Sequence, residues 1–413
     1  MLTTRSSLRV LFTLTLAACG DNAPTGGATD GPRRRADAAP GRSDARTTTP
    51  DAVRSAPDAG AGGAPGQDAA SPDGPSRADA GGVDGASTER RVTGTVQVGT
   101  TGISGAFDFT IPAGTRSVTV IAEGAQDQLL ALASLRLGDG TDRVGIDTSV
   151  SYASVMQERY NVLQSGAMPG NLYQSIRLGT FTHVYPYAPG QGMPTGAAQL
   201  RLASTATSGT VTVTVLLPPE DGARVLHLDV LAVSNTLAIA NPPGFLAPLQ
   251  AIYDQAGIRV VVDQIVEVRG TSFSRITEST EPQEAPQSQS GQLAVLAGQR
   301  APGPGLNVMI VDSLPTGIAG LSLGTPGPPL ASGYYHGVIV ASAADAQLAR
   351  VLAHEIAHFL ALQHVTNRDT RGQVIPDPID DTSPGQGNLM ENGNTLSPGQ
   401  SFALQRSALL TAQ

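Results

Sequence analysis

Six histidines serve the 413-residue chain, and three of them, His354, His358 and His364, fall within eleven consecutive positions. The stretch reads His354-Glu355-Ile356-Ala357-His358-Phe359-Leu360-Ala361-Leu362-Gln363-His364, inside an apolar run with helical spacing. On a helix, residues 354 and 358 are one turn apart, with about 6 Å between their Cβ atoms. Two imidazoles so placed can hold one zinc ion, leaving Glu355 beside them as a base and not a ligand. His364 comes just past the point where the helix must stop for the chain to turn back. It is the expected third ligand, with Asp369 the alternative if the turn is made differently.

This stretch resembles the signature of the metzincin metalloproteases, H-E-x-x-H-x-x-G-x-x-H followed by a methionine turn. The match holds at His354, Glu355, His358 and His364, while Ala361 stands where the family has glycine. Glycine ends such a helix with positive φ, and alanine there costs on the order of 1 kcal/mol. A strained turn is expected at Ala361. Downstream, Asp380-Asp381-Thr382-Ser383-Pro384 leads into Asn388-Leu389-Met390, similar to the pappalysin-like branch of that family. The resemblance implies that Met390 forms an apolar floor under the metal. It also places Asn392 where such enzymes often carry a tyrosine that supports the oxyanion. Asp377, Asp380 and Asp381 are hard oxygen donors suited to calcium, which the resemblance also implies; a solvated acidic loop is the plainer reading. Ser397 and Pro398 open a final helix, expected from Ser401 to about Leu410.

The elements that must position these groups follow a clear order. Val92–Val98, Ser117–Ile121 and Val211–Val215 alternate apolar with polar, the period of half-buried strands. Residues 91–218 are therefore expected to form a β-sandwich of jelly-roll kind. His183 is alone there and reads as a strand or loop residue. Pro218–Gly222 reads as a linker, and a second domain, 223–413, follows. It should hold strands at Val225–Val233, Arg259–Val268, Leu306–Val311, Ile318–Leu323 and Gly337–Ala341. A helix at Pro243–Ala256 is closed by Gly257. Residues 271–292 read as a polar surface loop. The zinc helix comes next, with Ser342 or Asp345 as its N-cap. This order resembles a metzincin catalytic domain, in which the strand near Ile318 would be the cleft edge that pairs with substrate. The fold class is thus a multidomain chain, a β-sandwich followed by an α+β metzincin-type protease domain.

Residues 1–19 read as a bacterial export signal, with Arg5 and Arg9 before an apolar run and a lipobox-like Leu16-Ala17-Ala18-Cys19. Cys19, the one cysteine in the chain, is expected to carry a lipid and anchor the protein to a membrane. No intramolecular disulfide can form. Residues 20–90 are almost entirely Ala, Gly, Pro, Asp, Ser, Thr and Arg, a disordered tether with a mean reach of roughly 45 Å. A net charge of −9 with both signs dispersed argues against a nucleic-acid partner.

The expected activity is zinc-dependent endopeptide hydrolysis at the cell envelope by a monomer, with protein or peptide substrates and Glu355 as general base. Two other classes are compatible with the sequence. One is an inactive zinc- and peptide-binding lipoprotein; the other is an adhesin acting through the β-sandwich.

Overall fold

The computed structural model describes residues 90–410, except 126–127, 129, 145–173, 176–178, 234–241, 269–273, 278–304, 316–317, 324–336, 369–373, 378 and 386. The expected signal segment with Cys19, the tether up to residue 89, nearly all of the 271–292 loop, and Asp369 lie outside the described residues. The protein is mostly β-sheet with few helices. Residues 86–413 belong to one compact unit, which holds two separate apolar cores.

The first core lies between two antiparallel sheets. Their strands are β1 (Arg90–Gln97), β2 (Phe107–Ile111), β3 (Val118–Glu123), β4 (Leu130–Arg136), β5 (Gln174–Ser175), β6 (Thr180–Tyr185), β7 (Gly196–Ser204) and β8 (Thr210–Leu217). One sheet runs β1-β8-β3-β6-β5 and the other β2-β7-β4. This is the winding of two Greek keys that makes a jelly roll. Strand alternation decides what is inside: Phe107, Phe109 and Ile111 of β2 point inward, while Asp108 and Thr110 are exposed.

The second body is built on a five-stranded sheet in the order β10-β9-β11-β13-β12. Its strands are β9 (Arg224–Val233), β10 (Ile258–Glu267), β11 (Leu306–Val311), β12 (Gly320–Leu323) and β13 (Gly337–Ala341). Four of them pair in parallel; β12 is antiparallel and lies at the edge. Parallel strands need cover on both faces, and β11 is buried along its whole length. Helices α1 (Leu246–Tyr253) and α2 (Asp345–Phe359) cover one face. A smaller cluster with Ile276 and Leu314 covers the other. A hairpin of β14 (Thr366–Arg368) and β15 (Val374–Pro376) and helix α3 (Pro398–Gln405) complete the body.

Local chemistry explains most boundaries. Helix α1 buries Leu249, Ile252 and Tyr253, and a 3₁₀ turn ends at Gly257 with φ of 61°. Helix α3 starts with a capping box: Ser397 Oγ accepts from the Gln400 N–H, and the Gln400 side chain accepts from the Ser397 N–H. Two expectations need correction. Helix α2 is preceded by Ala344, which offers no side-chain cap; Asp345 is instead its first residue, with its charge at the positive end of the helix dipole. Helix α3 begins at Pro398 and stops at Gln405, short of Leu410, because side chains of the sandwich take the carbonyls beyond it. Ser117 Oγ donates to Arg406 O at 2.6 Å, and Arg116 donates to Ser407 O and Leu410 O at 3.0 and 3.1 Å. The segment read as a linker is also held: the Glu220 N–H donates to Gly114 O, and its carboxylate meets Arg406 at 2.6 Å.

His183 is fully buried in β6, and neither ring nitrogen has a partner among the described residues. Burial pushes its pKa down to about 3. The unfolded chain therefore binds a proton that the folded chain refuses between pH 6.5 and 3, and this group costs stability as pH falls through that window. Over the whole window the loss is on the order of 5 kcal/mol. His183→Leu should flatten the acid side of the stability curve while leaving neutral-pH stability little changed, as measured by urea unfolding from pH 7 to pH 4.

Candidate metal centre

Helix α2 places His354 and His358 one turn apart, and the turn after it brings His364 back to them. That turn is a Schellman motif. The Ala361 N–H donates to His358 O and the Leu362 N–H to Ala357 O, both at 2.9 Å. Ala361 sits in the left-handed region with φ of 81°, alone in this among the described non-glycine residues. Tertiary packing holds it there: Leu360, Ala361 and Leu362 are all buried.

His364 Nε2 lies 3.2 Å from His354 Nε2 and 3.2 Å from His358 Nε2. Backbone carbonyls settle the tautomers of two rings, because a carbonyl can only accept. His354 Nδ1–H donates to Leu389 O at 2.6 Å, and His358 Nδ1–H to Leu362 O at 2.9 Å. Their Nε2 atoms thus carry lone pairs that face inward. Burial, then repulsion between the neighbouring imidazoles, holds His358 well below the ordinary imidazole pKa and His364 at about 3. A single proton on His364 could serve both neighbours only as a divided donor, whereas a divalent cation satisfies all three lone pairs. Tetrahedral zinc with Zn–N of about 2.05 Å requires N···N separations of roughly 3.3 Å. The trio fits such an ion. Among the described residues it is the one group of three or more metal-binding side chains whose ligand atoms lie within 4.8 Å of one another.

Glu355 follows His354 on α2 and is buried, with Oε1 unpartnered among the described residues. Burial raises its pKa to about 8, opposed by the Ser322 main-chain N–H of β12. The edge strand fits against this carboxylate so closely that a Cβ at Gly320 would lie 2.6 Å from Glu355 Cγ and 2.8 Å from Oε1. A glycine is required there by close approach, not by φ.

Met390 is fully buried in the same core as helix α2. Its N–H donates to Asn388 Oδ1, and Asn388 exchanges two side-chain hydrogen bonds with Gln400 of α3 at 2.8 and 2.9 Å. That amide pair fixes the loop whose Leu389 carbonyl orients His354. Asn392 is exposed in the turn that follows. The acidic residues read as a calcium site serve separate roles. Asp381 accepts from Ser397 Oγ and the Gly399 N–H, Asp377 accepts from Thr382 Oγ1, and Asp380 is exposed. Among the described residues the three do not meet the close ligand spacing of the histidine trio. Burial nevertheless raises the Asp377 pKa to about 6, with Asp381 and Asp380 near enough to add to it, and Asp377 Oδ2 has no partner among those residues. Of the other described histidines, His227 pairs with Asp263 at 2.9 Å and His183 is sealed in the sandwich; His336 lies outside the described residues. Sequence reasoning missed Gly320, the Ser322 amide, the two orienting carbonyls and Gln400. Carbonyls carry no residue-type signal, but the glycine in a short edge strand was visible.

No family model matches the chain, and no curated protein matches it. Among solved structures, the chain is similar to protein YxiM from Bacillus subtilis at 13% identity, covering 53% of each chain with a TM-score of 0.16. That likeness is too slight to bear on fold or function.

Two substitutions test the geometry. Ala361→Gly should raise unfolding free energy by about 0.5–1 kcal/mol, the relieved left-handed strain less the added freedom of the unfolded chain, read as a higher Tm. Gly320→Ala should displace β12 or Glu355 by on the order of 1 Å while metal content is unchanged, as seen by crystallography and elemental analysis.

Proposed function

We propose that this protein is a zinc-dependent, metzincin-like endopeptidase acting on extracytoplasmic proteins, tethered to the bacterial envelope through Cys19. The observation that carries this reading is the set of three inward-facing imidazole nitrogens with a buried carboxylate next in sequence to one of them. His354, His358 and His364 would hold the ion through Nε2, leaving a fourth position open. When bound, zinc supplies a water of lowered pKa and polarises the scissile carbonyl. Glu355 would accept the proton from the attacking water and pass it to the leaving amine. Its burial beside β12 excludes bulk water and keeps the carboxylate in one place. Among the described residues, strand β12 is paired with β13 on one side alone, an arrangement that suits addition of an extended peptide as a further strand. Neutral, buried imidazoles and a rigid helix favour a preformed site over one assembled by the substrate.

The decisive comparison is wild type against Glu355→Gln. Wild type should contain near one zinc per chain and cleave unfolded casein. The variant should keep its zinc and lose cleavage by about 10²–10⁴-fold. Zinc without cleavage in the wild type would make the protein a peptide binder, and absence of zinc would leave an adhesin acting through the sandwich.

A further inference from the structure

The β-sandwich reaches into the core of the other body at one residue. Tyr187, from the connection between β6 and β7, is 1% exposed. It belongs to the apolar cluster that contains Leu362, Val365, Ile379 and Met390, not to the sandwich's own core. The connection that carries it is shaped by Gln191, whose Oε1 accepts from the Tyr187 N–H at 2.8 Å and the Ala188 N–H at 3.1 Å. Burial, then the Asp377 carboxylate, raises the Tyr187 phenol well above its ordinary pKa, opposed by the Gln363 main-chain N–H.

Gln363 is the middle residue of a three-residue strap. Before it, the Leu362 carbonyl accepts from His358 Nδ1 and orients that ring. After it, His364 supplies the third nitrogen of the trio. The far end of the strap is tied where the Asp377 N–H donates to Val365 O, at the neck of the β14–β15 hairpin. Tyr187 thus shares one packed cluster with Leu362 and Val365, the residues that flank Gln363 and His364. A second fastening holds the same two bodies together: Arg116, 1% exposed, grips the Ser407 and Leu410 carbonyls, and Arg406 donates back to Arg116 O at 3.1 Å.

We propose that Tyr187 is a positioning residue for the metal centre, so that the β-sandwich is a fixed half of that centre and not a removable cover or an independent binding module. The aromatic ring, seated against the strap at Gln363, fixes the place of His364 relative to the two helix-borne imidazoles. The inference rests on the metal-site reading of the trio but not on hydrolysis.

The test is zinc affinity in the full-length protein, measured by competition with a chromophoric chelator, for wild type, Tyr187→Phe, Tyr187→Leu and Phe107→Leu. Phe107 lies in the sandwich's own core and serves as a control for general loss of stability. Tyr187→Leu should weaken zinc binding about 10–100-fold, the usual effect of losing a group that orients a ligand. Tyr187→Phe keeps the ring and should lose less than Tyr187→Leu. Phe107→Leu should lower Tm without weakening zinc binding. Hydrogen exchange should also show faster exchange at residues 361–365 in Tyr187→Leu alone. Wild-type zinc affinity in a folded Tyr187→Leu overturns the proposal, as does equal weakening by Phe107→Leu. If Tyr187→Leu does not fold, Tyr187→Met, which also removes the ring, decides: unchanged affinity and unchanged exchange at 361–365 overturn the proposal. Zinc absent from the wild type overturns both readings, whereas zinc bound without hydrolysis overturns only the activity.

Discussion

Three imidazole nitrogens facing one another, with His364 Nε2 at 3.2 Å from each of the other two, set the terms for the rest of this molecule. Left alone, they repel, and the rings would turn outward or pick up protons. Two devices prevent that. Carbonyls of Leu389 and Leu362 hold the outer nitrogens of His354 and His358, which fixes the ring planes. Burial makes protonation costly, which keeps the rings neutral. The arrangement is thus poised for a cation before any cation arrives, and pre-organisation of this kind is what lets a site bind without reorganising.

Keeping the trio together requires distant parts of the chain to cooperate. The Schellman turn after α2 runs through an alanine in a conformation that favours glycine, so its local preference works against the site. Burial of Leu360 and Leu362 outweighs that cost. The loop carrying Leu389 is fixed by the Asn388–Gln400 amide pair, and Gln400 is itself fixed by the cap of α3. Each support is an ordinary hydrogen bond worth about 1 kcal/mol, yet each acts on a ring whose orientation decides whether the lone pairs converge.

Packing of the two bodies carries the same logic across the molecule. A chain of alternating strands would form its sandwich without the other body, but Tyr187 and Arg116 spend their side chains outside it. A buried arginine that donates to main-chain carbonyls with the Glu220 carboxylate nearby is costly to remove or expose, and burial, then the Arg224 charge, lowers its pKa to about 9. Such a contact is characteristic of bodies that stay together. The edge strand β12 adds the complementary feature: close approach to Glu355 at Gly320, and one side left unpaired.

Much of this was legible in the residues. The spacing of His354, Glu355 and His358 needs only helical periodicity, and the alternation in β2 and β8 marks the sandwich strands. The apolar run of Leu306–Val311 marks a strand buried on both faces, and Ser397-Pro398 marks the start of α3. Such signals are local, since each rests on the 3.6- or 2-residue repeat of a single element. Other features depend on what the chain meets far away in sequence. Helix α3 ends early because Ser117 and Arg116, nearly 300 positions upstream, take its carbonyls. Of the three acids near residue 380, Ser397 and Thr382 each donate to one, a partnership that spacing alone could not show. His364 joins the trio because an unfavourable turn is buried, and Tyr187 lies in the cluster of Leu362 and Val365 rather than in the core of the sandwich. The sequence by itself determined which residues could form a metal centre and on which elements they lie. Only the tertiary structure decided that they converge, because convergence is set by contacts between segments that no local repeat connects.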